Sequence, residues 1–326
     1  MIHAHISTPC RLHFGLIGWG PAIPRQFGGA GLMVRRPRVE LTAKPGRAWE
    51  FHGPLAHRAR AIVQNLLSAT STDSHFPGPI LPASIQILTA PPEHVGLGVG
   101  TQLSLAVIRA LMELAGTAEP TISQLAELSG RGKRSGIGLH GFSHGGFIVD
   151  GGRRDHPSPP PLLARAPFPE SWSILLVRPP GHRGVHGPAE HEAFSRLPPF
   201  PERAIDRMCR LILLGLLPAV IEQDLPAFGA ALTELQTLVG EAFAPIQGDR
   251  FASTRGDEII AELRKLGLQG AGQSSWGPTL YAFGILSDSE RTKTTSYLIK
   301  HLGLSPDAID WTEADNQGAR IARVSP

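Results

Sequence analysis

Pro91-Pro92-Glu93-His94-Val95-Gly96-Leu97-Gly98-Val99-Gly100-Thr101-Gln102 sets three glycines at every second position just before a strongly helical run. Such a loop exposes several backbone N–H groups with no side chain in the way. The helix behind it adds the positive end of its dipole, so the combination is a ready anion site, phosphate above all. By itself the pattern is equally a tight connection. The rest of the chain decides, by whether it supplies the other walls of a phosphate pocket.

At 326 residues the chain can bury a full core and is long enough for two domains. A hydrophobic content of 41% against 18% charged is that of a globular protein. The 37 glycines and 30 prolines imply many turns rather than long bundles. A net charge of only +3 gives no argument for nucleic acid as a partner, yet arginine clearly outnumbers lysine. Arginine suits bidentate recognition of phosphate or carboxylate. Cys10 and Cys209 form no metal or redox spacing, which fits a reducing compartment. The start, Met1-Ile2-His3-Ala4-His5, has no secretory pattern, and the most apolar run, Leu211 to Ile221, is too short for a bilayer and contains Pro218. The expectation is a soluble cytoplasmic protein with small-molecule substrates and no membrane partner.

Residues 5–17 and 31–43 read as strands, separated by a segment with Gly28-Gly29-Ala30-Gly31. Residues 56–69 have helical spacing, and Ser84 to Thr89 alternates as a strand. In the helix after the glycine loop, Leu103, Val107, Ala110, Leu111 and Leu114 form one apolar stripe, with Gln102, Arg109 and Glu113 away from it and Gly116 as the stop. A second helix covers Ile122 to Leu128, and Gly145 to Val149 is a strand ending at Asp150-Gly151-Gly152. Pro157 to Pro161 is the best domain boundary, giving units 1–160 and 161–326. Beyond it, Trp172 to Val177, Thr279 to Leu286 and Gly318 to Val324 read as strands, and 203–216, 226–242, 255–266 and 288–302 as helices. Strands and helices alternate in both halves, so the class is α+β.

Five clusters could carry chemistry. Arg11 and His13 share one strand face, either a solvated face or a substrate wall. Gly130-Arg131-Gly132-Lys133-Arg134-Ser135-Gly136-Ile137-Gly138 can track an anion, and ordering four glycines without a ligand costs conformational entropy. Gly141-Phe142-Ser143-His144-Gly145 matches the hydrolase G-x-S-x-G elbow formally, but the next segment, Gly146 to Asp150, is β-like, so it fails that motif's context. Gly181 to Glu192 holds three histidines and two carboxylates in no common zinc spacing, and reads as a structural or substrate-covering loop, with Glu190 as an acid, base or magnesium contact. Gly270-Ala271-Gly272-Gln273-Ser274-Ser275-Trp276-Gly277-Pro278 is a second glycine loop, placed to close with the first on one phosphorylated ligand.

Three of these blocks, Arg11-to-Gly31, Pro91-to-Ala106 and Gly270-to-Gly277, fall in the order of the three motifs of the GHMP small-molecule kinase superfamily, which the chain resembles over nearly its whole length. Within it the chain is more similar to the beta-ribofuranosylaminobenzene 5'-phosphate synthases, through Arg11-Leu12-His13-Phe14-Gly15-Leu16, Gly96 to Gln102, Gly130-Arg131-Gly132 with Ser135-Gly136-Ile137-Gly138, Gly145 to Gly152, and Ser274 to Thr279. The resemblance implies a GHMP-kinase-like two-domain fold, with a ribosomal protein S5 domain 2-like N-terminal domain and a ferredoxin-like C-terminal domain. It implies a reaction in which 4-aminobenzoate or a close analogue attacks phosphoribosyl pyrophosphate, carbon dioxide and pyrophosphate leave, and a C-riboside forms on the way to tetrahydromethanopterin-type carriers. It also implies magnesium as cofactor and a homodimer.

On this reading Gly96, Gly98, Gly100, Thr101 and Gln102 cradle the pyrophosphate, with Thr101 touching the magnesium. Arg11, Arg131, Lys133 and Ser135 bind phosphate or carboxylate, Gly28 and Gly29 shape the N-terminal wall, and Gly272, Ser274 and Ser275 close the pocket. Asp150, Glu190 and His13 are the catalytic candidates. The alternative is an ATP-dependent GHMP-family kinase. Against it, the kinases' paired serines are here Val99-Gly100, and their Ser-Gly-x-Asp segment reads Ser135-Gly136-Ile137-Gly138. Both a metal ligand and an acid are missing. The chain also departs from the synthases, in Lys133-Arg134 and in Trp19 to Gln26, which leaves the acceptor open.

Overall fold

The computed structural model describes residues 3–73, 76–154, 158–180, 184 and 187–324. Pro157 and, in the histidine-bearing stretch, 181–183 and 185–186 lie outside the described residues. The chain opens with two long antiparallel strands, β1 (His3–Gly18) and β2 (Phe27–Pro45). There follow β3 (Glu50–His52), α1 (Ala56–Asp73), β4 (Ala83–Thr89), α2 (Val99–Leu114), α3 (Ile122–Ser129), α4 (Ile137–His144) and β5 (Phe147–Asp150). Then come β6 (Leu162–Ala166), β7 (Ser173–Val177), α5 (Gly187–Arg196), α6 (Glu202–Leu211), α7 (Leu217–Glu222), α8 (Leu225–Gln247) and α9 (Gly256–Lys265). The end of the chain supplies β8 (Gln269–Gln273), β9 (Leu280–Gly284), α10 (Asp288–Leu302), β10 (Ile309–Thr312) and β11 (Arg320–Val324).

The first sheet runs β11-β1-β2-β4-β3, with β5 pairing β2 and β6 pairing β5. β6 and β11 lie beyond residue 160, so this sheet draws strands from both sides of the proline-rich stretch. The second sheet, β10-β7-β9-β8, is wholly antiparallel. Its strands and helices follow the split β-α-β-β-α-β plan, with the fourth strand beside the first. The whole is α+β. No helix among the described residues is long and apolar enough to cross a membrane.

Several expectations shift. α2 is buried almost all round rather than along one stripe. Arg109 and Glu113 are buried as an ion pair at 2.6 Å, and Arg323 joins Glu113 at 2.5 Å, so these charges are neutralised rather than solvated. The helix expected over 203–216 breaks into α6 and a π-helical stretch, Ile212–Leu216, before α7. Pro218 lacks the N–H that would continue the ladder, and a widened turn accommodates it. The G-x-S-x-G segment forms α4 and its end, so the order is helix to strand, and Ser143 is exposed. It is no nucleophile elbow. The second glycine block is itself strand β8 for half its length.

Phe14 of β1 meets Phe147, Phe228, Tyr281 and Phe283, which joins the two sheets through one aromatic core. Gln236 of α8, itself buried, sits beside it. Its Nε2 donates to the Phe14 carbonyl, and its Oε1 accepts from the Gln273 N–H at 2.8 Å. Gln236→Leu would leave both buried backbone groups unpaired, at about 1–3 kcal/mol each. The expected outcome is a fall in unfolding free energy of about 2–6 kcal/mol by urea titration, with an unchanged m-value.

Candidate active site

The loop 91–98 between β4 and α2 is fixed by close backbone approach. Gly96 and Gly98 adopt left-handed φ of 85° and 69°. A Cβ on Gly96 would collide with the Ser274 carbonyl, and one on Gly98 would press the Arg11 side chain at 2.7 Å. Ser274 Oγ donates to the Gly96 carbonyl at 2.6 Å, Thr279 Oγ1 to the Val95 carbonyl at 2.5 Å, and the Arg11 N–H to the Leu97 carbonyl at 3.0 Å. The glycines thus let β1 and the 274–279 turn grip the loop from both sides. Gly98 is the N-cap of α2 and supplies no side-chain cap. The first turn and the positive end of the helix face the adjoining cleft.

That cleft has two chambers sharing Arg11, Thr101, Arg131, Glu190, Ser275 and Trp276. The outer one is lined by the glycine loop and by Arg58 and Glu93, which pair at 3.0 Å. The inner one is lined by the 130–135 loop and by Leu16, Phe194, Val239 and Phe243. Glu190 of α5 stands at their junction. It accepts from Arg134 Nη2 at 2.6 Å and from the Trp276 indole N–H at 3.1 Å. Arg11 and Arg131 are taken out of water here. Burial pushes Arg11 down to about 10, with the Glu190 carboxylate pulling the other way. Burial also lowers Arg131, helped by repulsion from Arg58 and opposed by Glu93 and Glu190. Four arginines and Lys133 against two carboxylates leave the cleft wall net positive.

Behind the inner chamber lies a buried polar chain. The Gly15 N–H donates to His13 Nδ1 at 3.1 Å, so the ring proton belongs on Nε2, which lies 3.1 Å from Ser135 Oγ. Ser135 Oγ donates to Asp150 Oδ2 at 3.0 Å and accepts from the Ile137 N–H at 3.2 Å. Asp150 also accepts from the Gly136 and Gly152 N–H groups, at 2.8 and 2.9 Å. Burial, then the positive Arg11, hold His13 well below its usual value, so the ring is neutral. Burial pushes Asp150 up to about 6 against the pull of its hydrogen bonds.

The structure brings together Arg11, His13, Thr101, Arg131, Lys133, Ser135, Glu190 and Ser275 on the cleft walls, with Gly96, Gly98 and Gly100 in the outer chamber. It places six other candidates behind those walls. Gln102 is fully buried, accepting from Thr8 Oγ1 and donating to the Gly138 carbonyl at 2.9 Å, which braces β1 against α4. Gly28 and Gly29 lie in β2, and a Cβ on Gly29 would stand 2.8 Å from the Gly15 carbonyl. Gly272 lets β8 approach Gln236. Ser274 and Asp150 have no exposed surface. Conversely, Arg58, Glu93, Phe194, Val239, Phe243, Gln273 and Trp276 line the cleft without having been singled out. Glu93, Gln273 and Trp276 stood inside the quoted blocks. The others are helical or strand residues with no local signature. Among the described residues no group of three or more His, Cys, Asp or Glu side chains converges on a metal-binding point.

No protein-family model matches the chain. It is 34% identical over 337 residues to the beta-ribofuranosylphenol 5'-phosphate synthase of Methanothermobacter thermautotrophicus, covering 98% of each chain. It is 36% identical over 290 residues to the enzyme of the same name from Archaeoglobus fulgidus, covering 85% of this chain and 86% of that one. Among solved structures, a homoserine kinase from Cytophaga hutchinsonii superposes with a TM-score of 0.65 at 14% identity, covering 98% of this chain and 97% of that one. The mevalonate diphosphate decarboxylase of Enterococcus faecalis gives 0.61 at 12% identity, over 99% and 100%. These solved structures share the fold.

The Asp150 environment has a measurable consequence. Its carboxyl, raised to about 6 in the folded chain, binds a proton more tightly there than in the unfolded chain. The stability it contributes is present below about pH 4 and lost as pH rises through about 6, a change of about 3 kcal/mol. Denaturant titrations at half-unit steps from pH 4 to 7 are expected to register that fall in the native chain. In Asp150→Asn this segment of the profile should flatten.

Proposed function

This chain belongs to the beta-ribofuranosylphenol 5'-phosphate synthase family, and we propose that it joins the ribose of phosphoribosyl pyrophosphate to a para-substituted benzoate, releasing carbon dioxide and pyrophosphate. It is an enzyme of the ribosyl-transferring type. The relatives' name carries a phenol, which makes 4-hydroxybenzoate the first acceptor to test and 4-aminobenzoate the second. The product would be a C-riboside serving an early step toward tetrahydromethanopterin-type carriers.

One observation carries the reading: the outer chamber sets the uncapped N-terminus of α2 beside Arg11, Arg58 and Arg131. This is a polyphosphate receptor built from backbone N–H groups and guanidinium forks. In the reaction, the ring carbon that bears the carboxylate bonds to C1 of the ribose. The C1–oxygen bond breaks, and pyrophosphate leaves with that electron pair. The ring–carboxylate bond then breaks, its pair restores aromaticity, and carbon dioxide departs. Positive charge develops at C1, and Glu190, at the junction of the chambers, is the carboxylate we assign to stabilise it. His13 and Asp150 become positioning residues. Both His13 nitrogens are occupied within the chain, and Asp150 holds the Ser135–Gly136 turn through which the cationic loop reaches the cleft.

Two oxygen donors at the glycine loop are available to magnesium, one of them a carboxylate shared with Arg58. A Cβ on Gly100 would lie 3.7 Å from both Glu93 Oε1 and Arg131 Nη2, so the carboxylate reaches the glycine loop where Thr101 also stands. Glu93 and Thr101 would hold the ion, which when bound neutralises the polyphosphate. A kinase reading lacks its acid. Gly138 packs against Thr101, whose methyl would be 3.0 Å from an added Cβ.

The test incubates the protein with magnesium, phosphoribosyl pyrophosphate and carboxyl-labelled 4-hydroxybenzoate or 4-aminobenzoate. Labelled carbon dioxide should appear in proportion to pyrophosphate. ATP hydrolysis that depends on an added metabolite, with no carbon dioxide, would replace this reading with the kinase. Arg131→Gln removes a charged donor from the polyphosphate, and its KM for phosphoribosyl pyrophosphate should rise about tenfold to a hundredfold.

A further inference from the structure

The two chambers differ in chemistry more than one polar substrate requires. The outer chamber has cations, glycines and a helix end. The inner one has a continuous aromatic wall. Trp276 and Phe243 meet edge-to-face at 4.5 Å between centroids, Phe194 and Trp276 at 5.5 Å, and Phe194 and Phe243 at 6.0 Å. Phe194, Val239 and Phe243 are only partly buried, since they line the chamber. The wall is anchored from behind. Trp19 packs on Phe243 at 5.2 Å and ties its indole N–H to the Pro198 carbonyl at 2.8 Å, while Trp276 is tied to Glu190.

From this geometry we infer that the inner chamber is the subsite for the acceptor's aromatic ring, and that Phe243 and Val239 of α8 set which ring is accepted. The inference rests on the ribosyl-transfer reading for its substrate class and on the wall for its place. The three rings meet edge-to-face, and a further ring packed against Phe243 or Trp276 gains over plain area burial. Gly15 explains why the wall closes where it does. Its φ is 134°, and a Cβ there would collide with Val239, so β1 and α8 meet at the glycine and end the chamber. Lys133 and Arg134 line the same chamber, and Arg134 lies over the Phe194 ring at 5.0 Å. A benzoate there would meet apolar ring surface and cations together. Its carboxylate-bearing carbon must point to the junction with the outer chamber, because that carbon forms the bond to the ribose. The para substituent then points toward the closed end.

The experiment measures KM for each substrate separately, together with calorimetric binding of 4-hydroxybenzoate in the presence of inorganic pyrophosphate. Phe243→Ala should raise KM for the aromatic acid about tenfold and leave KM for phosphoribosyl pyrophosphate within about twofold. Val239→Phe, which fills the chamber without opening a cavity, should do the same and serves if the alanine variant fails to fold. If the native enzyme is active and both variants leave the acid's KM unchanged, or raise both KM values alike, the inference is overturned and the ribosyl reading stands. If the native protein makes no product but binds 4-hydroxybenzoate, and Val239→Phe abolishes that binding, the ring subsite stands and the ribosyl reading falls. No binding and no product in the native protein would overturn both.

Discussion

The Ser274 hydroxyl accepts a hydrogen bond from the His13 N–H at 3.0 Å and donates one to the Gly96 carbonyl at 2.6 Å, with no exposed surface of its own. Three segments far apart in sequence meet at this one oxygen. Next to it the Ser275 N–H donates to the His13 carbonyl at 3.2 Å, from a left-handed residue with φ of 56°. A non-glycine residue persists in that region only where its surroundings over-determine it. The stitch fixes the glycine loop, and with it the exit of α2. It also brings β1 to the cleft so that Arg11 and His13 face it. The cleft walls come from both sheets, and this junction holds them in register.

Charge follows from that framework. Arg11, Arg58 and Arg131 are carried by a strand, a helix and a loop that would not approach one another without it. Glu93 and Glu190 reduce their repulsion but are themselves engaged, by Arg58 and by Arg134 with Trp276. Guanidinium groups held at reduced hydration bind planar anionic oxygen in pairs more readily than fully solvated ones. The depressed values of Arg11 and Arg131 are the sign of that partial desolvation.

Much of this was legible in the chain where a local rule governs. α10 spans Asp288–Leu302, the bounds its sequence predicts, because Ser287 and Glu290 form a capping box and Gly303 stops it in the left-handed region. The glycine loop was legible only together with the other glycine blocks, because glycines at alternate positions before a helix are equally a tight connection. α4 was not, since Gly138 and Gly141 make poor helix formers. What makes them helical is tertiary: an added Cβ would press Thr101 at one and Met33 at the other. β8 was missed for the same reason, its glycines serving close packing on α8. The burial of Gln102, Gly272 and Ser274 was not legible, because a conspicuous block is not the same as a cleft wall. The aromatic wall escaped notice because Leu16, Phe194, Val239, Phe243 and Trp276 come from four separate elements, and each alone looks like core.

The same architecture superposes on homoserine kinases at 14–16% identity, so the fold alone does not select a chemistry. A kinase must activate a hydroxyl, and so needs an acid near the transferred phosphorus. Ribosyl transfer to a ring carbon removes no proton from that carbon, because the group that leaves it is carbon dioxide. A site for this reaction can therefore have glycine at 138 and valine at 99 without loss, provided it holds polyphosphate firmly and sets a ring against C1. The cleft divides along that line. Its two chambers share a junction whose carboxylate, Glu190, is fixed by Arg134, which lines the inner chamber, and by Trp276, which lines both. On the proposed ribosyl transfer, the carboxylate assigned to the sugar carbon would keep its place only while both of these partners hold it.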